Sequence, residues 1–285
     1  MERNFRSCGI TLTYTLNERL LSLNESRQTA LCVGLDVSPE RLPTELPRDI
    51  NGAHTFIQNI IEATYQFAVA FKPNLAFYLQ FGSEGLNLLS SVRQMVPSEC
   101  LVIGDAKWGD IGNTSEVYAR AGFDVLGFDA ITLSPYPGTD AILPFIGDPQ
   151  KGVFVLCKTS NPSAHEFQGN NTDSKLNPIF LQVAHKVEKL NTRGNCGLVV
   201  GATQHSGLDM VREIAPTTST LVPGIGAQNG NLEDVVASLS KSPSTGLLIN
   251  SSRSIIYATG DSSYQQNSKY VAQKLSEAIA EKLYR

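Results

Sequence analysis

Three charged residues stand close together where a buried strand should end. The segment LVIGDAKWGD, residues 101–110, begins with an apolar run and continues into Asp105, Lys107 and Asp110. If the segment is extended, Asp105 and Lys107 lie on one face, because side chains of a strand alternate with period two. Charges on an inward face are costly unless they pair or take part in function. A lysine between carboxylates is held protonated, so Lys107 is predicted to be a cation and proton donor rather than a Schiff-base nucleophile.

Charged residues also end other apolar runs. Asp36 ends the first run and Lys72 the second, so acids and lysines alternate along one rim with Asp105 and Lys107. In a parallel barrel the carboxyl ends of the strands meet at one face, where catalytic residues collect. The alternative is an ion-pair network that closes the barrel mouth, but such networks stabilise little for their desolvation cost. We therefore predict a functional site at this rim.

The segments after the last two apolar runs predict an anion site. The turn GIGAQ, residues 224–228, can expose backbone N–H groups, and the segment NSSR, residues 250–253, adds hydroxyl groups and Arg253. Backbone N–H groups beside a cation are typical of the phosphate site that follows strands seven and eight of such barrels. For Arg253 taken alone, a surface ion pair is the alternative. Together the two segments favour a bound phosphate.

Short apolar runs alternate with amphipathic segments, which predicts an α/β fold, a single (β/α)8 barrel over residues 1–285. A doubly wound open sheet is the runner-up, but CVGLDVS after the first run lacks a G-x-G-x-x-G turn. Residues 1–29 are interpreted as an N-terminal extension with an extra helix, Leu16–Arg27, packed on the barrel. The predicted strands are Ala30–Asp36, Phe67–Lys72, Leu101–Lys107, Val125–Leu133, Gly152–Lys158, Gly197–Gly201, Ser219–Gly224 and Gly246–Asn250. The predicted helices include Ala53–Tyr65, Ser83–Met95, Thr114–Ala121, Thr139–Ile146, Asn177–Leu190, Ser206–Ile214, Asn231–Leu239 and Ser268–Lys282.

Composition argues against several functional classes. The 285 residues are 41% hydrophobic and 18% charged, with a formal net charge of -4. This mild acidic excess argues against a nucleic-acid surface, which needs clustered lysines and arginines. No apolar run approaches the roughly 18 residues of a membrane span, and the N-terminus lacks the apolar core of a signal peptide. The five cysteines lack C-x-x-C spacing, which predicts reduced thiols rather than disulfides or zinc ligands, and hence a cytoplasmic protein.

A set of short motifs extends over nearly the whole chain. Asp105, Lys107 and Asp110 form a DxKxxD element that Ile111 and Thr114 follow. The other motifs are VGLD, FKPN, SPYPG, KTSNP, PGIGAQ and NSSRSI. Together they resemble the orotidine 5'-phosphate decarboxylase family, in its longer bacterial class; residues 1–25 and 164–176 lie outside the resemblance. The DxKxxD element alone is shared with sugar-phosphate relatives, whereas the full set is highly specific.

The resemblance implies decarboxylation of orotidine 5'-phosphate to uridine 5'-phosphate and CO2, the last step of de novo UMP synthesis, without a cofactor or metal ion. Metal-dependent sugar-phosphate relatives carry an acid where this chain has Lys72, and a cation there repels a metal ion. In the implied mechanism Asp105 repels the substrate carboxylate and Lys107 protonates C6. Lys72 and Asp110 hold Lys107 charged and oriented.

The resemblance also implies binding roles and an assembly. The substrate-binding residues would be Asp36 for a ribose hydroxyl, Ser160 for the pyrimidine, and Gln228 and Arg253 for the phosphate. In the family the counterparts of Asp110 and Thr114 reach the neighbouring active site, Thr114 at the ribose, so we expect a homodimer with shared active sites. The expected partners are the small-molecule substrate and a second copy of the chain, with no nucleic acid and no membrane.

One departure and three alternatives remain open. Trp108 stands where the longer class commonly has arginine, which puts local packing in doubt more than the chemistry. A sugar-phosphate decarboxylase or synthase of the same barrel type is one alternative. A Schiff-base aldolase that uses Lys158 is another. A nucleotide-binding module without activity is the last, and the complete set of Asp105, Lys107 and Asp110 argues against it.

Overall fold

The structure, a computed structural model, describes residues 14–169, 178–225, 231–239 and 245–284. In these parts of the chain, parallel strands hydrogen-bond in chain order and close into an eight-stranded barrel. The strands are β1 (Leu31–Gly34), β2 (Ala70–Lys72), β3 (Leu101–Trp108), β4 (Ala130–Leu133), β5 (Gly152–Lys158), β6 (Cys196–Val200), β7 (Ser219–Pro223) and β8 (Leu247–Ser251). The helices are α1 (Leu16–Arg27), α2 (Ile50–Thr64), α3 (Leu75–Leu79), α4 (Gly82–Met95), α5 (Gly112–Arg120), α6 (Ile179–Leu190), α7 (His205–Ile214), α8 (Leu232–Leu239), α9 (Arg253–Ile256) and α10 (Tyr264–Leu283). The predicted (β/α)8 barrel is confirmed.

The strands divide their buried side chains between two cores. In β1, Cys32 belongs to the cluster inside the barrel, whereas Leu31 and Val33 pack with the larger cluster under the helices. Strand β8 repeats this pattern, with Leu248 inside and Ile249 outside. Because both faces of each strand are buried, the strands read as continuous apolar runs in the sequence. Because of the same alternation, every second side chain at the carboxyl ends of the strands points into the barrel interior.

The extra N-terminal helix α1 closes the end of the barrel at which the strands begin. Its residues Leu16 and Leu20 are buried in the inner cluster. A capping box between Thr15 and Glu18 starts the helix, since each side chain bonds to the backbone of the other residue. Asn24 fixes the helix to β8, donating to the Leu247 carbonyl at 3.0 Å and accepting its N–H at 2.8 Å. The prediction that Leu16–Arg27 packs on the barrel as a helix is confirmed.

Several predicted elements differ from the structure at their ends, and two differ most. The predicted strand Val125–Leu133 begins only at Ala130, because the chain after α5 continues as a π-helical turn, Ala121–Val125. The predicted helix Thr139–Ile146 is instead two short 3-10 turns, since Pro144 lacks the N–H that a continuous helix needs. Among the described helices, none has the length and apolar character that crossing a membrane requires.

Candidate active site

A cavity of about 550 Å³ opens at the carboxyl ends of the strands. Its walls come from most of the barrel strands and from the segments that follow them. The predicted site residues that line it are Asp36, Lys72, Asp105, Lys107, Ser160 and Arg253. These residues were identified from their positions at strand ends in the sequence. Although they are far apart along the chain, they meet at this cavity.

The charged residues on the cavity wall form a chain of two salt bridges. Lys72 Nζ lies 2.6 Å from Asp105 Oδ2, and Lys107 Nζ lies 2.6 Å from Asp105 Oδ1. Lys72 and Asp105 are buried, whereas the side chain of Lys107 is 47% exposed and reaches into the cavity. The sequence predicted a lysine between two carboxylates. Within one chain the structure shows Asp105 as one carboxylate beside Lys107, and Asp105 also binds Lys72 of the neighbouring strand.

Burial and charge act in opposite directions on the pKa values of this cluster. Burial would raise the pKa of Asp105, but Lys72 and Lys107 outweigh it and hold the pKa well below its usual range. Burial would lower the pKa of Lys72, but Asp105 and then Asp36 outweigh it and raise the pKa above its usual value. At neutral pH, Asp105 is therefore an anion and Lys72 a cation.

The backbone that presents Lys107 departs from a regular strand. Lys107 has φ 52°, a left-handed conformation that few residues other than glycine adopt. Gly104 pairs with Ile131 and Trp108 with Leu133, so the strand between them carries a bulge opposite Thr132. Alternation alone therefore does not set the direction of the Lys107 side chain. Sequence reasoning missed Thr132, because the residue pattern predicts the strand that contains it but shows neither the bulge nor the register between the two strands.

Asp110 and Thr114 do not line the cavity of their own chain. The Asp110 carboxylate is half-buried and accepts the N–H of Ile111 at 2.8 Å. Thr114 is exposed on α5. Within its own chain Asp105 is the carboxylate that bonds to Lys107, and the expected role of Asp110 at the neighbouring active site stays a prediction.

Three buried acceptor atoms on the cavity wall have no hydrogen-bond partner among the described residues: Asp36 Oδ1, Ser160 Oγ and Asn250 Oδ1. Buried polar atoms are normally paired, so such atoms beside a cavity are suited to a ligand. Gly201 makes room for Ser160, because a Cβ atom there would lie 2.0 Å from Ser160 Oγ. The sequence predicted roles for Asp36 and Ser160 but not for Asn250. Alternation could have predicted a role for Asn250, because it stands two residues after Leu248 and faces the barrel interior as Leu248 does.

The predicted anion site is described in part. Arg253 is the first residue of α9, is exposed, and borders the cavity. Gly224 also borders the cavity, and its φ of 105° is a conformation that residues other than glycine adopt only with strain. Ser251 Oγ donates to the Ile225 carbonyl at 3.2 Å, which ties the end of β8 to the segment after β7. Gln228 lies outside the described residues, as do the other residues of the segment 226–230.

Lys158, the nucleophile of the aldolase alternative, points away from the cavity. A register shift between Leu156 and Lys158 interrupts the alternation of β5. The Lys158 ammonium lies 4.3 Å from the ring centre of Phe180 on α6. A Schiff base requires an amine that reaches a carbonyl in the cavity, so the geometry of Lys158 does not support an aldolase.

Trp108 packs on the outside of the barrel. Its ring stacks on Tyr118 of α5 at 4.8 Å between centroids with a 26° angle. A Cβ atom at Gly122, in the π-helical turn after α5, would lie 2.3 Å from Ile131 Cδ1 and 3.1 Å from the Trp108 ring, so a glycine lets this turn pack against both side chains. Trp108 therefore contributes to the packing between β3 and α5 and does not line the cavity.

Comparisons with known proteins agree with this geometry. The profile of the orotidine 5'-phosphate decarboxylase / HUMPS family matches residues 29–264. The orotidine 5'-phosphate decarboxylase of Thermomicrobium roseum is 44% identical over 266 residues, which cover 93% of this chain and 95% of that protein. That of Herpetosiphon aurantiacus is 45% identical and covers 87% and 91%.

Two solved structures from Leishmania donovani share the fold. Its OMP decarboxylase superposes with a TM-score of 0.76 at 36% identity, covering 92% of this chain and 98% of that one. Its UMP synthase gives a TM-score of 0.80 at 39% identity, and the match spans 91% of this chain but 55% of that longer chain. The barrel, the strand-end charges and the extent of these matches show that this chain belongs to the orotidine 5'-phosphate decarboxylase / HUMPS family.

Proposed function

We propose that this protein decarboxylates orotidine 5'-phosphate to uridine 5'-phosphate and CO2 without a metal ion or cofactor. The observation that carries the proposal is the chain of salt bridges Lys72–Asp105–Lys107 on the cavity wall. Relatives named for this activity at 44% and 45% identity support it. Sugar-phosphate decarboxylation or synthesis is the alternative within the family, and Lys72 at the end of β2 disfavours the metal ion that it would need.

In the proposed reaction the bond between C6 and the carboxylate breaks, CO2 leaves, and the electron pair stays on C6. No neighbouring carbonyl delocalises this pair, so the protein must stabilise it by electrostatics. Asp105 beside the substrate carboxylate repels it by about 4 kcal/mol at about 4 Å and an effective dielectric constant near 20. The Lys107 ammonium stabilises the carbanion, transfers a proton to C6, and regains a proton from water.

The remaining cavity residues bind the rest of the nucleotide. Asp36 Oδ1 is buried and has no hydrogen-bond partner among the described residues, so it is suited to accept a hydrogen bond from a ribose hydroxyl. Ser160 Oγ is suited to the pyrimidine for the same reason. Arg253, which borders the cavity, binds the phosphate together with Gln228. Binding energy at the phosphate thereby lowers the barrier at C6.

The activity is tested by following the ultraviolet absorbance of orotidine 5'-phosphate with purified protein, with and without EDTA. We expect turnover that EDTA leaves unchanged. Lys107→Ala protein purified in parallel is the matched control, because it reports any contaminating decarboxylase. Absence of turnover by the unmodified protein would contradict the proposed reaction, and loss of turnover in EDTA would contradict its independence of metal. Among the described residues, no group of three His, Cys, Asp or Glu side chains could hold a metal ion, and the metal-free reaction stays a prediction.

We propose that the active sites are shared between two copies of the chain. Asp110 and Thr114 do not line the cavity of their own chain, which leaves them available to a second copy. The apolar residues beside them are exposed: Ile111 by 61% and Val117 by 48%. Tyr136, which follows the neighbouring strand β4, is 89% exposed. Apolar side chains around a functional residue are typical of an interface, and a two-fold dimer would bring Asp110 of each chain to the cavity of the other.

Subunit mixing tests this assembly. Lys107→Ala and Asp110→Ala proteins should each be almost inactive. If Lys107 and Asp110 of one site come from different chains, each mixed dimer has one site with both lesions and one intact site. Random exchange makes half of the dimers mixed, so up to about a quarter of the wild-type activity per subunit should return, by the two-fold symmetry. If mixed dimers form and no activity returns, Asp110 acts within its own chain.

We propose the cytoplasm as the compartment of this reaction. Cys32, Cys100, Cys157 and Cys196 are buried free thiols. Unpaired cysteines are the rule where glutathione and thioredoxin keep thiols reduced. Fractionation of the source cells, followed by immunodetection of the chain, is the test. Recovery with periplasmic or secreted proteins would contradict the proposal.

A further inference from the structure

Thr132 faces the bulge in the strand that carries Lys107. Strand β3 advances from Gly104 to Trp108 while β4 advances only from Ile131 to Leu133, so Thr132 alone lies opposite the extra residues. A bulge interrupts the ladder and leaves N–H groups without a partner carbonyl. Here the Lys107 N–H donates to Thr132 Oγ1 at 2.9 Å. The hydroxyl therefore takes the place of the missing ladder acceptor.

The same hydroxyl also holds the central carboxylate. Thr132 Oγ1 donates its hydrogen to Asp105 Oδ1 at 2.9 Å, and this oxygen also accepts from Lys107 Nζ at 2.6 Å. A hydroxyl has one hydrogen to donate and lone pairs to accept, so it can make both bonds at once. Thr132 is 1% exposed, which leaves water little access to replace it.

We propose that Thr132 is a positioning residue of the decarboxylation. Left-handed backbone at a residue other than glycine persists only where its surroundings hold it. Thr132 binds the backbone of Lys107 and the carboxylate that binds the other end of the same side chain. One hydroxyl thereby sets the position of the Lys107 ammonium relative to Asp105, and with it the approach of the proton to C6. The inference rests on the proposed function.

Thr132→Val tests the inference, since valine keeps the shape of threonine and removes the hydroxyl. We expect kcat to fall about 10- to 100-fold, as small misplacements of reacting groups do. The dissociation constant of uridine 5'-phosphate should change by less than about threefold, because ribose and phosphate contacts lie elsewhere. Thr132→Ser, which keeps the hydroxyl, should restore most of kcat. Rates are expressed per site titrated with uridine 5'-phosphate, so a loss of folded protein does not register as a loss of kcat.

A buried threonine far from the cavity gives the matched control. Thr64 is buried in α2 and donates to the Ile60 carbonyl at 2.7 Å, so Thr64→Val should keep the wild-type kcat per site. Thr132→Ala supplies a second variant without the hydroxyl if Thr132→Val does not fold.

Three outcomes would overturn the inference. The first is a kcat per site within about twofold of wild type in a folded variant without the hydroxyl. The second is a Thr132→Ser protein as slow as Thr132→Val, which would show that a hydroxyl at this position does not by itself support the rate. The third is a failure of both Thr132→Val and Thr132→Ala to fold, which would make the hydroxyl a structural requirement. An unmodified protein that does not turn over orotidine 5'-phosphate would instead contradict the proposed function.

Discussion

Removing the buried cation of the cavity wall should destabilise the protein strongly. Lys72 is 4% exposed, and its Nζ lies 2.6 Å from Asp105 Oδ2. Lys72→Met keeps a long unbranched side chain and removes the charge. It leaves Asp105 buried with two remaining partners, the half-exposed Lys107 and the hydroxyl of Thr132. The variant therefore measures how much the free energy of unfolding falls when the Asp105 carboxylate loses its more deeply buried partner.

The expected size follows from this geometry. Removing one partner of a buried ion pair costs about 3–5 kcal/mol, because the other charge stays buried. We expect about 3 kcal/mol for Lys72→Met, at the lower end, because Lys107 and Thr132 still bind Asp105. For a domain of this size the midpoint of thermal unfolding should fall by about 6–12 °C. The double variant Lys72→Met/Asp105→Asn should recover part of this loss, since the buried carboxylate is then neutral.

The loss should also depend on pH. Because the pKa of Asp105 is lowered by folding, its stabilisation is complete above the unfolded pKa of about 4 and is lost as pH falls toward the folded value. Because the pKa of Lys72 is raised by folding, its stabilisation is complete below about 10.4 and is lost as pH rises through the folded value. The difference between wild type and variant should therefore be largest near neutral pH and shrink toward either extreme.

Circular dichroism melting curves at several pH values measure both effects. Lys274→Met is the control, because Lys274 forms a surface ion pair with Glu277 and both side chains are more than half exposed; its midpoint should not change. A midpoint for Lys72→Met within about 2 °C of wild type at neutral pH would refute the reasoning, as would an equal loss at strongly acidic pH.

Three further variants separate catalysis, phosphate binding and ligand recognition. Lys107→Ala should reduce kcat to below about a hundredth while the protein still binds uridine 5'-phosphate, because general acid catalysis is worth about 10²–10⁴. Arg253→Ala should raise KM strongly and lower kcat; unchanged steady-state kinetics would move the phosphate site elsewhere. Ser160→Ala should weaken uridine 5'-phosphate binding in calorimetry by about 1 kcal/mol without lowering the free protein's melting midpoint, since its hydroxyl is buried without a partner in the described chain. A lower midpoint would mean that Ser160 is already paired.

Much of the barrel follows from local patterns. The runs Leu101–Lys107 and Gly152–Lys158 could be recognised as strands because a strand buried on both faces is apolar along its length. The helix Leu16–Arg27 has the Thr15 and Glu18 capping signal at its start. The segment Thr139–Ile146 could not be assigned in this way, since an amphipathic pattern does not show that a proline will divide it into turns.

The sequence by itself determined which charged residues reach the rim. Asp36, Lys72, Asp105 and Lys107 each follow an apolar run, and parallel strands that close in chain order must place such residues at one end of the barrel. That inference needs only the order of the elements, since all four residues stand at or near the carboxyl end of a strand. It therefore survives small errors in the predicted ends of each strand.

Only the tertiary structure decided how these residues pair. The spacing of Asp105, Lys107 and Asp110 predicted a lysine flanked by two carboxylates, and the structure shows that within one chain Asp105 binds both Lys72 and Lys107. The reason is that partners across strands depend on register, and the bulge opposite Thr132 changes that register by a shift that no local pattern records. The left-handed backbone of Lys107 has the same origin. It is held by Thr132 of the neighbouring strand, whose Oγ1 accepts the Lys107 N–H, and not by residues beside Lys107 in the sequence.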